Sequence, residues 1–403
     1  MNIPFSPPRI DELTINEVID TLKSGWITTG PKTKIFEDEL AKYIGIDYVV
    51  CLNSATAGLQ LAMHWLGIKE NDEIIIPAYT YCATANVIAQ RGAKPVMVDI
   101  NEDDFNIDFR KIKSLINSNT KAIIAVDIAG FPADYKEIKN IICSSEIKDL
   151  YIAKNNVQSQ LGRIALISDA AHSIGAVYDG KKTGNHADMS SFSFHAVKNL
   201  TTAEGGAVAF NLPIPFDNEK IKKEFKTLSL HGQSKDALSK NKAGGWEYDV
   251  TDAGFKCNMT DIQASIGLIE LNRYRETLQK RKEIFELYDN FLKEKKWAIL
   301  PTHQTNNKVS SYHLYMLRII GCSLENRNKI IEKMASEGIA VNVHYKPLPL
   351  LTFYKNLDYK IGDFPQSNKN YEHEISLPVF YDLTNQQAEY VVENLVRIVD
   401  EMI

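Results

Sequence analysis

Lys198 is the residue whose type and position first point to chemistry. It follows the apolar-aromatic segment "SFHAV" and precedes the threonine- and glycine-rich "NLTTAEGG". A lysine just after a buried strand enters a cavity, where it can form a Schiff base with an aldehyde and where loss of solvent lowers its pKa. The alternative is a solvated lysine in a surface turn, which is the more common position for this residue type.

Asp169 and His172 lie in a second segment, "ISDAAHSIGA", at the end of another apolar run. The ionised form of a buried carboxylate is costly without a partner, and a protonated pyridine nitrogen would supply one. The alternative reading of Asp169 is a helix N-cap.

A third segment, "NSATAG" at 53–58, lies between a predicted strand and a predicted helix. The first N–H groups of a helix are free and the helix dipole favours an anion there, so this segment can bind a phosphate. Ser193 could reach the same phosphate. The alternative is that Ser54 or Thr56 only caps the helix.

A fourth segment, "PAYTYCAT", offers Tyr79 and Tyr81 as aromatic faces for stacking, unless they belong to the core. Each of the four signals is weak alone. Together they comprise a phosphate cradle, an acid for a ring nitrogen, a stacking aromatic and a Schiff-base lysine. That set is the equipment of a pyridoxal-phosphate site, where the cofactor serves as electron sink and the protein orients it.

The elements that must position these residues alternate between strands and helices over the first two-thirds of the chain. Continuous apolar strands separated by helices predict a parallel or mixed sheet covered on both faces, with ligands bound at the carboxyl ends of the strands. The fold class is therefore α/β. The predicted strands are 48–53, 72–78, 94–100, 121–130, 163–171, 190–195 and 205–211.

The rest of the chain predicts a smaller α+β domain. An amphipathic pattern from Thr260 to about 295 predicts one long helix, capped by Thr260 or Asp261, that joins a large domain at 1–265 to a small domain at 266–403. The small domain should hold strands at "SYHLYMLRI" and "IAVNVHYK" and helices at 325–337 and 384–401. Residues 145–162 resemble a surface excursion without a function, and 231–253 a long functional loop.

Composition narrows the function classes. A chain of 403 residues suggests two domains. A net charge of -5 gives no reason to expect nucleic-acid or membrane binding. Five dispersed cysteines without CxxC pairs, and an N-terminus without a signal-peptide pattern, suggest the cytoplasm. No metal-ligand spacing is present, and "YEHEI" at 371–375 only clusters charge without a shared helical face.

Taken together, these motifs resemble the DegT/DnrJ/EryC1/StrS sugar aminotransferase family, within the fold-type-I pyridoxal-phosphate enzymes. The likeness covers the chain almost end to end, and its wording is nearest to the branch that makes UDP-4-amino-4-deoxy-L-arabinose. The fold implied is a large domain with a mostly parallel, seven-stranded type of sheet and a smaller C-terminal domain. The motifs that carry the resemblance stand in family order: "SGWITTGP", "NSATAGLQLA", "NDEIIIPAYTY", "GAKPVMVDI", "AGFPAD", "SDAAHSIGA", "SFHAVKNLTTAEGGAV", "GFKCNMTDIQASIGLIEL" and "HYKPLP".

The resemblance assigns a role to each matching residue. Lys198 is similar to the lysine that bonds to the cofactor, Asp169 to the carboxylate on the ring nitrogen, His172 to a group beside the ring, and Tyr81 to the stacking aromatic. Phosphate contacts fall on Ser54, Ala55, Thr56 and Ser193. Asn258 is similar to an asparagine that reaches the phosphate in the partner subunit, which implies a homodimer with shared sites. Candidate substrate contacts are Thr28, Lys256, His231 and His344; the last two could equally be ordinary hydrogen-bonded loop groups.

The activity implied is transfer of an amino group from glutamate to the C-4 keto group of a UDP-linked keto sugar, through pyridoxal 5′-phosphate and its pyridoxamine form. The product would be a 4-amino sugar for a surface polysaccharide. For the diphosphate, Lys256 and Lys32 are the candidate cations. The alternatives are a 3-keto-sugar nucleotide (dTDP) aminotransferase, a pyridoxamine-dependent dehydratase, against which Lys198 argues, and a non-catalytic regulator or sugar-binding protein on the same scaffold.

Overall fold

A seven-stranded sheet forms the centre of the molecule, which is described here by a computed structural model over residues 1–234 and 247–403. Its strands are β1 Tyr48–Leu52, β2 Glu73–Pro77, β3 Lys94–Val98, β4 Thr120–Val126, β5 Ala165–Asp169, β8 Met189–Ser193 and β9 Gly206–Phe210. The strand order is β1-β9-β8-β5-β4-β2-β3. β9 pairs antiparallel with both β1 and β8, and the other pairings are parallel. The carboxyl ends of the parallel strands therefore lie at one edge of the sheet.

The seven strands expected from the sequence all form, and their register explains their apolar character. In β2, Ile74 and Ile76 join a core on one face of the sheet, whereas Ile75 joins a core on the other. Because helices cover both faces, successive residues of one strand are buried alternately on opposite sides. The two cores then fix which side chains remain at the strand ends.

The helices of the large domain flank this sheet. Their bounds are Glu12–Lys23, Pro31–Ile44, Ala55–Trp65, Ala83–Ala89, Phe109–Ile112, Tyr135–Cys143, Ser145–Leu150, Asn156–Leu161 and Asn218–Leu228. Short strands β6 Val177–Tyr178, β7 Lys181–Lys182 and β11 Lys308–Val309 form a separate three-stranded sheet that the sequence did not indicate.

The 145–162 segment is packed onto the large domain by polar contacts. It contains two of the short helices, and its Asn155 and Gln158 side-chain amides both donate to the carbonyl oxygen of Leu66 at 2.9 Å. Of the loop expected at 231–253, residues 235–246 lie outside the described residues.

The predicted joining helix is two helices rather than one, which corrects the expectation for residues 260–295. The first runs Asp261–Asn272 and the second Tyr274–Leu292, and Arg273 between them has non-helical dihedral angles. Thr260 is the N-cap and forms a capping box with Gln263, as one of the two expected caps. The division into domains at 265/266 stays a prediction.

The C-terminal part is an α+β unit with its own core. Its sheet has the order β10-β12-β13, from β10 Ala298–Ile299, β12 Tyr315–Ile319 and β13 Glu374–Leu377. The expected strand at "IAVNVHYK" is wrong: this segment forms only isolated bridges, Ile3 with Ile339 and Asn342 with Ser376. The helices are Leu324–Ser336, Thr352–Lys355, Pro365–His373 and Asn385–Met402, together with the second joining helix.

Asp261 ties the joining helix to the start of the chain. Its buried carboxylate accepts hydrogen bonds from the backbone N–H groups of Gly30, Lys32 and Thr33 at 2.8–3.0 Å and from the Thr33 hydroxyl at 2.7 Å. An acceptor at this position satisfies the free N–H groups of helix Pro31–Ile44. Among the described residues, no helix has the length and apolar character needed to cross a bilayer.

Candidate active site

A cavity of about 470 Å³ opens at the carboxyl edge of the large sheet. Residues that follow several different strands line it. The sequence-predicted members that line it are Ser54, Ala55, Thr56, Tyr81, Asp169, His172, Ser193, Lys198 and His344. The topology therefore gathers into one cavity residues that are far apart in the sequence.

Lys198 lies in the turn after β8, as its sequence setting suggested. Its backbone N–H donates to the His195 carbonyl at 2.9 Å, and the side chain is partly exposed toward the cavity. Burial of the ammonium lowers the pKa of Lys198 to about 8, and the negative charge of Asp169 opposes this shift. A substantial fraction of this amine is therefore neutral near physiological pH, which is the form that attacks an aldehyde and accepts a proton.

Asp169 is the last residue of β5 and is buried. Its Oδ2 accepts a hydrogen bond of 2.7 Å from the Thr84 hydroxyl, and Oδ1 accepts a longer one of 3.3 Å from the Ala171 N–H. Burial raises the pKa of Asp169, against these hydrogen bonds and the charge of Lys198. A carboxylate placed this way has a strong preference for a cationic partner.

His172 lies in the turn after β5, and hydrogen bonds of Asp127 stabilise that turn. Asp127 accepts from the hydroxyl of Ser173 at 2.6 Å and from that of Tyr135 at 2.7 Å, and its N–H donates to the carbonyl of Asp169 at 3.2 Å. Burial raises the pKa of Asp127 to about 6. The network fixes the backbone between Asp169 and His172.

The His172 ring is neutral and partly unpartnered. Burial lowers the pKa of His172 well below its usual value, and the charge of Lys198 adds to this. Nε2 lies 2.9 Å from the hydroxyl of Tyr345. In the part of the chain that the structure describes, the buried Nδ1 has no hydrogen-bond partner. This atom is available to a bound group.

The phosphate end of the cavity is the start of helix Ala55–Trp65. Ser54 is its N-cap and accepts from the Ala57 N–H at 3.1 Å, so the capping alternative holds for this side chain. Within the described residues the N–H groups of Ala55 and Thr56 donate to no acceptor. These two donors, at the positive end of the helix dipole, suit a phosphate.

Gly206 allows the strand edge to approach this helix start. A Cβ on Gly206 would lie 2.4 Å from the backbone nitrogen of Ala55 and 2.4 Å from the carbonyl carbon of Ser54. Gly206 pairs with Ser193 in the β8–β9 ladder, which brings the Ser193 hydroxyl to the same end of the cavity. Glycine is therefore needed at position 206, because a side chain there would collide with the start of the helix.

The two tyrosines of "PAYTYCAT" separate into a core residue and a cavity residue. Tyr79 is fully buried and donates its hydroxyl to the carbonyl of His344 at 2.8 Å. Tyr81 is 58% exposed and lines the cavity, with its ring centroid 5.8 Å from that of Tyr345. Of the two, only Tyr81 is free to present a ring face to a ligand.

Three cavity residues to which the sequence assigned no role come from the start of the chain and from the small domain. Phe5, His313 and Tyr345 line the cavity beside the expected His344. His313 lies against His172, with ring centroids 4.4 Å apart. Tyr345 belongs to the motif "HYKPLP" and His313 to the predicted strand "SYHLYMLRI", but neither position carried a signal for a role in the site.

A loop at 310–313 connects the Lys198 turn to the His172 turn. Asn199, next to Lys198, donates to the Ser311 carbonyl at 2.7 Å and accepts from Nδ1 of His313 at 2.8 Å. The Ser311 hydroxyl donates to the carbonyl of His172 at 2.6 Å. The guanidinium of Arg281 holds the other side of the loop through the carbonyls of residues 312 and 313.

Several predicted residues lie outside this cavity in the single chain. Asn258 lines a second cavity of about 370 Å³ and donates to the Thr29 hydroxyl at 2.6 Å. Lys256 donates to Oδ1 of Asn258 at 2.6 Å. Thr28 and His231 are exposed and line neither cavity.

Lys32 is committed to other partners. Its ammonium lies 2.7 Å from the Glu17 carboxylate and 2.9 Å from that of Asp20. This arrangement disfavours Lys32 as a cation for a diphosphate, because two carboxylates already neutralise it.

The residues in the cavity fit pyridoxal 5′-phosphate in each of its chemical parts. A partly neutral lysine can bond the aldehyde, a buried carboxylate can pair with the ring nitrogen, and two free N–H groups can hold the phosphate. In the described ranges 1–234 and 247–403, no group of three or more His, Cys, Asp or Glu side chains could hold a metal ion.

Comparison with known proteins agrees with this reading. The DegT/DnrJ/EryC1/StrS aminotransferase family model matches residues 8–396. The Streptococcus pneumoniae protein Spr1654, described as a sugar aminotransferase, is 46% identical in its PMP form, with a TM-score of 0.96 and 100% of each chain covered. The PLP form of the same protein is 45% identical, with a TM-score of 0.95.

Two further relatives are more distant. PseC of Helicobacter pylori, an aminotransferase involved in the biosynthesis of pseudoaminic acid, is 28% identical with a TM-score of 0.86 and 100% of each chain covered. SpsC of Bacillus subtilis, named a spore coat polysaccharide biosynthesis protein, is 33% identical over 401 residues, which are 98% of this chain and 97% of that one. The expected fold class is confirmed.

Proposed function

The chain belongs to the DegT/DnrJ/EryC1/StrS aminotransferase family, whose cofactor is pyridoxal 5′-phosphate, and from this premise we propose a specific reaction for it. It transfers the amino group of glutamate to the C-4 keto carbon of a UDP-linked keto sugar. The observation that supports the aminotransferase chemistry is that Lys198 and Asp169 line the same cavity and interact electrostatically there. The substrate assignment is based on the sequence motifs that this chain shares with the 4-amino-arabinose branch.

Lys198 is the proton-transferring group in this proposal. The cofactor supplies an electron sink when bound. Lys198 holds the cofactor in the resting enzyme and, once released, moves a proton to or from the carbon that gains or loses the amino group. A pKa of about 8 suits both directions of transfer near neutral pH.

Asp169 and the helix start orient the cofactor. The Asp169 carboxylate keeps a ring nitrogen protonated, and it is held for this by the hydrogen bond from Thr84. The N–H groups of Ala55 and Thr56, with the Ser193 hydroxyl, bind the phosphate. His172 and Tyr81, which also line the cavity, would help to hold the ring.

A homodimer with shared sites forms the second part of the proposal. Helix Glu12–Lys23 exposes Ile15, Ile19 and Leu22, spaced to lie on one helical face, and exposed Leu13 and Ile27 lie nearby in the sequence. Apolar residues grouped this way are typical of a covered surface. A second copy that covers this surface would allow Asn258 to reach the phosphate of its partner.

The sugar nucleotide enters between the domains in this proposal. Lys256, Thr28, His231 and His344 are its candidate contacts. Lys34 adds positive charge at the second cavity, where Lys223 and Lys226 are already paired with Glu219 and Glu37. The name of the Bacillus subtilis relative supports a role in polysaccharide biosynthesis. All five cysteines are free, which supports a cytoplasmic location.

The test is a matched panel of UDP- and dTDP-linked 4-keto and 3-keto sugars. Glutamate, aspartate and glutamine serve as amino donors, NMR identifies the aminated carbon, and the Lys198→Ala variant gives the background. Amination at C-4 of the UDP sugar with glutamate is the expected result. Amination at C-3, or a preference for dTDP, would contradict the substrate, and no cofactor absorbance would favour a non-catalytic protein.

A further inference from the structure

A buried carboxylate of the small domain is connected to the cavity through two other side chains. Glu374 begins β13 and is fully buried. Its Oε1 accepts a hydrogen bond of 2.5 Å from the Ser376 hydroxyl, and Oγ of Ser376 lies 2.9 Å from Nδ1 of His344. His344 lines the cavity that contains Lys198. We call these three residues the Glu374–Ser376–His344 series.

The ring of His344 is held in one orientation by contacts on several sides. Its backbone N–H donates to Oε2 of Glu374 at 3.0 Å, and Phe5 stacks on the ring with centroids 5.3 Å apart. Asn342 pairs with Ser376 through two backbone hydrogen bonds of 2.8 and 3.1 Å. Within the described residues Nε2 of His344 has no hydrogen-bond partner, so this atom remains for a ligand.

Two placements of the protons satisfy every hydrogen bond in the series. When Glu374 is ionised, Ser376 donates to Glu374 and Nδ1–H of His344 donates to Ser376, which leaves Nε2 without a proton. When Glu374 is protonated, it donates to Ser376, and Ser376 donates to Nδ1, so that Nε2 carries the proton. The proton on Glu374 therefore determines whether Nε2 is a donor or an acceptor.

We propose that Glu374, acting through Ser376, is the positioning residue for His344, and that Nε2 of His344 donates its proton to an oxygen of the sugar bound in the cavity. The sugar in this statement rests on the proposed function. In the transfer the Nε2–H bond breaks and an O–H bond forms on the sugar. Ser376 passes a proton to Nδ1 and takes the proton of Glu374, so the negative charge ends on Glu374.

Charged and titratable groups from several elements lie around Glu374. The guanidinium of Arg327 donates to the Glu374 carbonyl at 2.8 Å, and Arg318 lies opposite Glu374 in the β12–β13 register. Tyr79 and Tyr345 lie close enough for the charge of Glu374 to raise their pKa values. His373 precedes Glu374 at the end of helix Pro365–His373.

The balance of these effects leaves Glu374 able to exchange its proton near neutral pH. Burial raises the pKa of Glu374 to about 8, against the hydrogen bonds from Ser376 and from the His344 N–H and the charge of Arg327. Burial lowers the pKa of His344 to about 3, and the charge of Lys198 adds to this. The ring therefore stays neutral while its tautomer follows Glu374.

The test is the tautomer of His344 in the holoenzyme, read from the nitrogen chemical shifts of ¹⁵N-histidine-labelled protein without substrate. The His344 signals are those missing in His344→Gln. Between about pH 6 and about pH 10, around the pKa of Glu374 at about 8, wild-type His344 should change from the Nε2–H to the Nδ1–H tautomer. A single tautomer over the whole range would overturn the proposal.

Two variants isolate the role of Glu374. In Glu374→Gln the amide oxygen should accept from the His344 N–H in place of Oε2, which turns the amide NH2 toward Ser376 as a donor. His344 should then stay in the Nε2–H form at every pH. The control Glu372→Gln changes a neighbouring side chain that accepts from Asn368, and it should behave as wild type. Retention of the wild-type tautomer change in Glu374→Gln would refute the coupling.

The proposal also predicts how the rate of sugar amination depends on pH. Wild-type kcat for amination should fall as Nε2 loses its proton above about pH 8, and Glu374→Gln should lack this alkaline fall. The same alkaline fall in both proteins would contradict proton donation by His344. If the tautomer responds as expected and no keto sugar is aminated, the proposed function fails while the coupling stands.

Discussion

The hydroxyl of Thr84 and the carboxylate of Asp169 are joined by a hydrogen bond of 2.7 Å at the buried end of the cavity. Thr84 belongs to helix Ala83–Ala89 and Asp169 to β5, so the bond connects two elements that border the site. The bond occupies Oδ2 and leaves Oδ1 with only the long contact from the Ala171 N–H. The carboxylate is thereby oriented with one oxygen available to a cationic ring nitrogen.

Asp169→Asn should slow turnover by ~10²–10³-fold, the scale on which loss of one preorganised electrostatic partner slows an enzyme. Asparagine accepts the Thr84 hydrogen bond but supplies no charge for a protonated ring nitrogen. Steady-state kinetics measure the loss. Near-native turnover would mean that Asp169 has only a structural role.

The direction in which the same substitution changes the stability of the folded protein can also be predicted. Because the folded-state pKa of Asp169 is raised above 3.8, the stability it contributes is present below that pH and is lost as pH rises through the folded pKa. At pH 7 the cofactor-free Asp169→Asn protein should therefore unfold at a temperature equal to or above that of wild type. The difference should shrink toward low pH. Thermal unfolding of both proteins at pH 7 and at low pH measures this difference in unfolding temperature. A large loss of stability in the variant at pH 7 would contradict this account.

Lys198→Ala should lose at least ~10²–10⁴-fold in rate through general acid–base catalysis alone. The wild-type protein should be yellow, and borohydride should fix the cofactor to Nζ of Lys198. Peptide mapping of the reduced protein identifies the modified residue. A modified lysine elsewhere in the chain would disprove the assignment, and Lys32, already paired with two carboxylates, is the matched unreactive control.

The residues of the large-domain site could be predicted because each follows a strand at one edge of a parallel sheet. An apolar run gives way to a turn or a helix at each of Lys198, Asp169 and Ser54. This local pattern is visible in the sequence and corresponds to a strand end in the structure. The break of the joining helix at Arg273 could not be predicted, because the sequence has neither a proline nor a glycine at residues 272–274. Arg273 is buried against Glu270 and Asp11, and the latter is far away in sequence.

His344 is indicated by the sequence as a candidate contact, but its connection to Glu374 and Ser376 could not be predicted, for a different reason. The charges of "YEHEI" do not share a helical face, and the structure gives the reason: the helix ends at His373 and β13 begins at Glu374. On a strand, Glu374 and Ser376 share one face. Their contact with His344 depends on a segment that pairs with β13 only at an isolated bridge, and no period in the sequence indicates that pairing.

Gly206→Ala should weaken both folding and cofactor binding. The new Cβ would lie 2.4 Å from the backbone nitrogen of Ala55, so either the helix start or β9 must move. Overpacking of this kind costs ~1–3 kcal/mol of the free energy of unfolding. Chemical denaturation and cofactor titration measure the two effects.

The matched control for this variant is Gly362→Ala. A Cβ at Gly362 meets no atom within 4 Å, and this glycine, in the short helical turn Ile361–Asp363, does not line the cavity. It should leave cofactor affinity unchanged. Equal effects of the two substitutions would contradict a steric role for Gly206 in the phosphate end of the cavity.

Hybrid dimers test whether Asn258 acts across a subunit interface. Asn258 lines a cavity separate from that of Lys198 in the single chain, which motivates a role in the site of a partner. Lys198→Ala and Asn258→Ala chains, each with a different affinity tag, are mixed and the doubly tagged species is isolated. In that hybrid one site combines the intact Lys198 of one chain with the intact Asn258 of the other, and the second site lacks both residues. The hybrid should therefore regain activity that neither parent homodimer has. A verified hybrid that stays inactive would mean that Asn258 serves the site of its own chain, and a monomer in solution would exclude the shared site altogether.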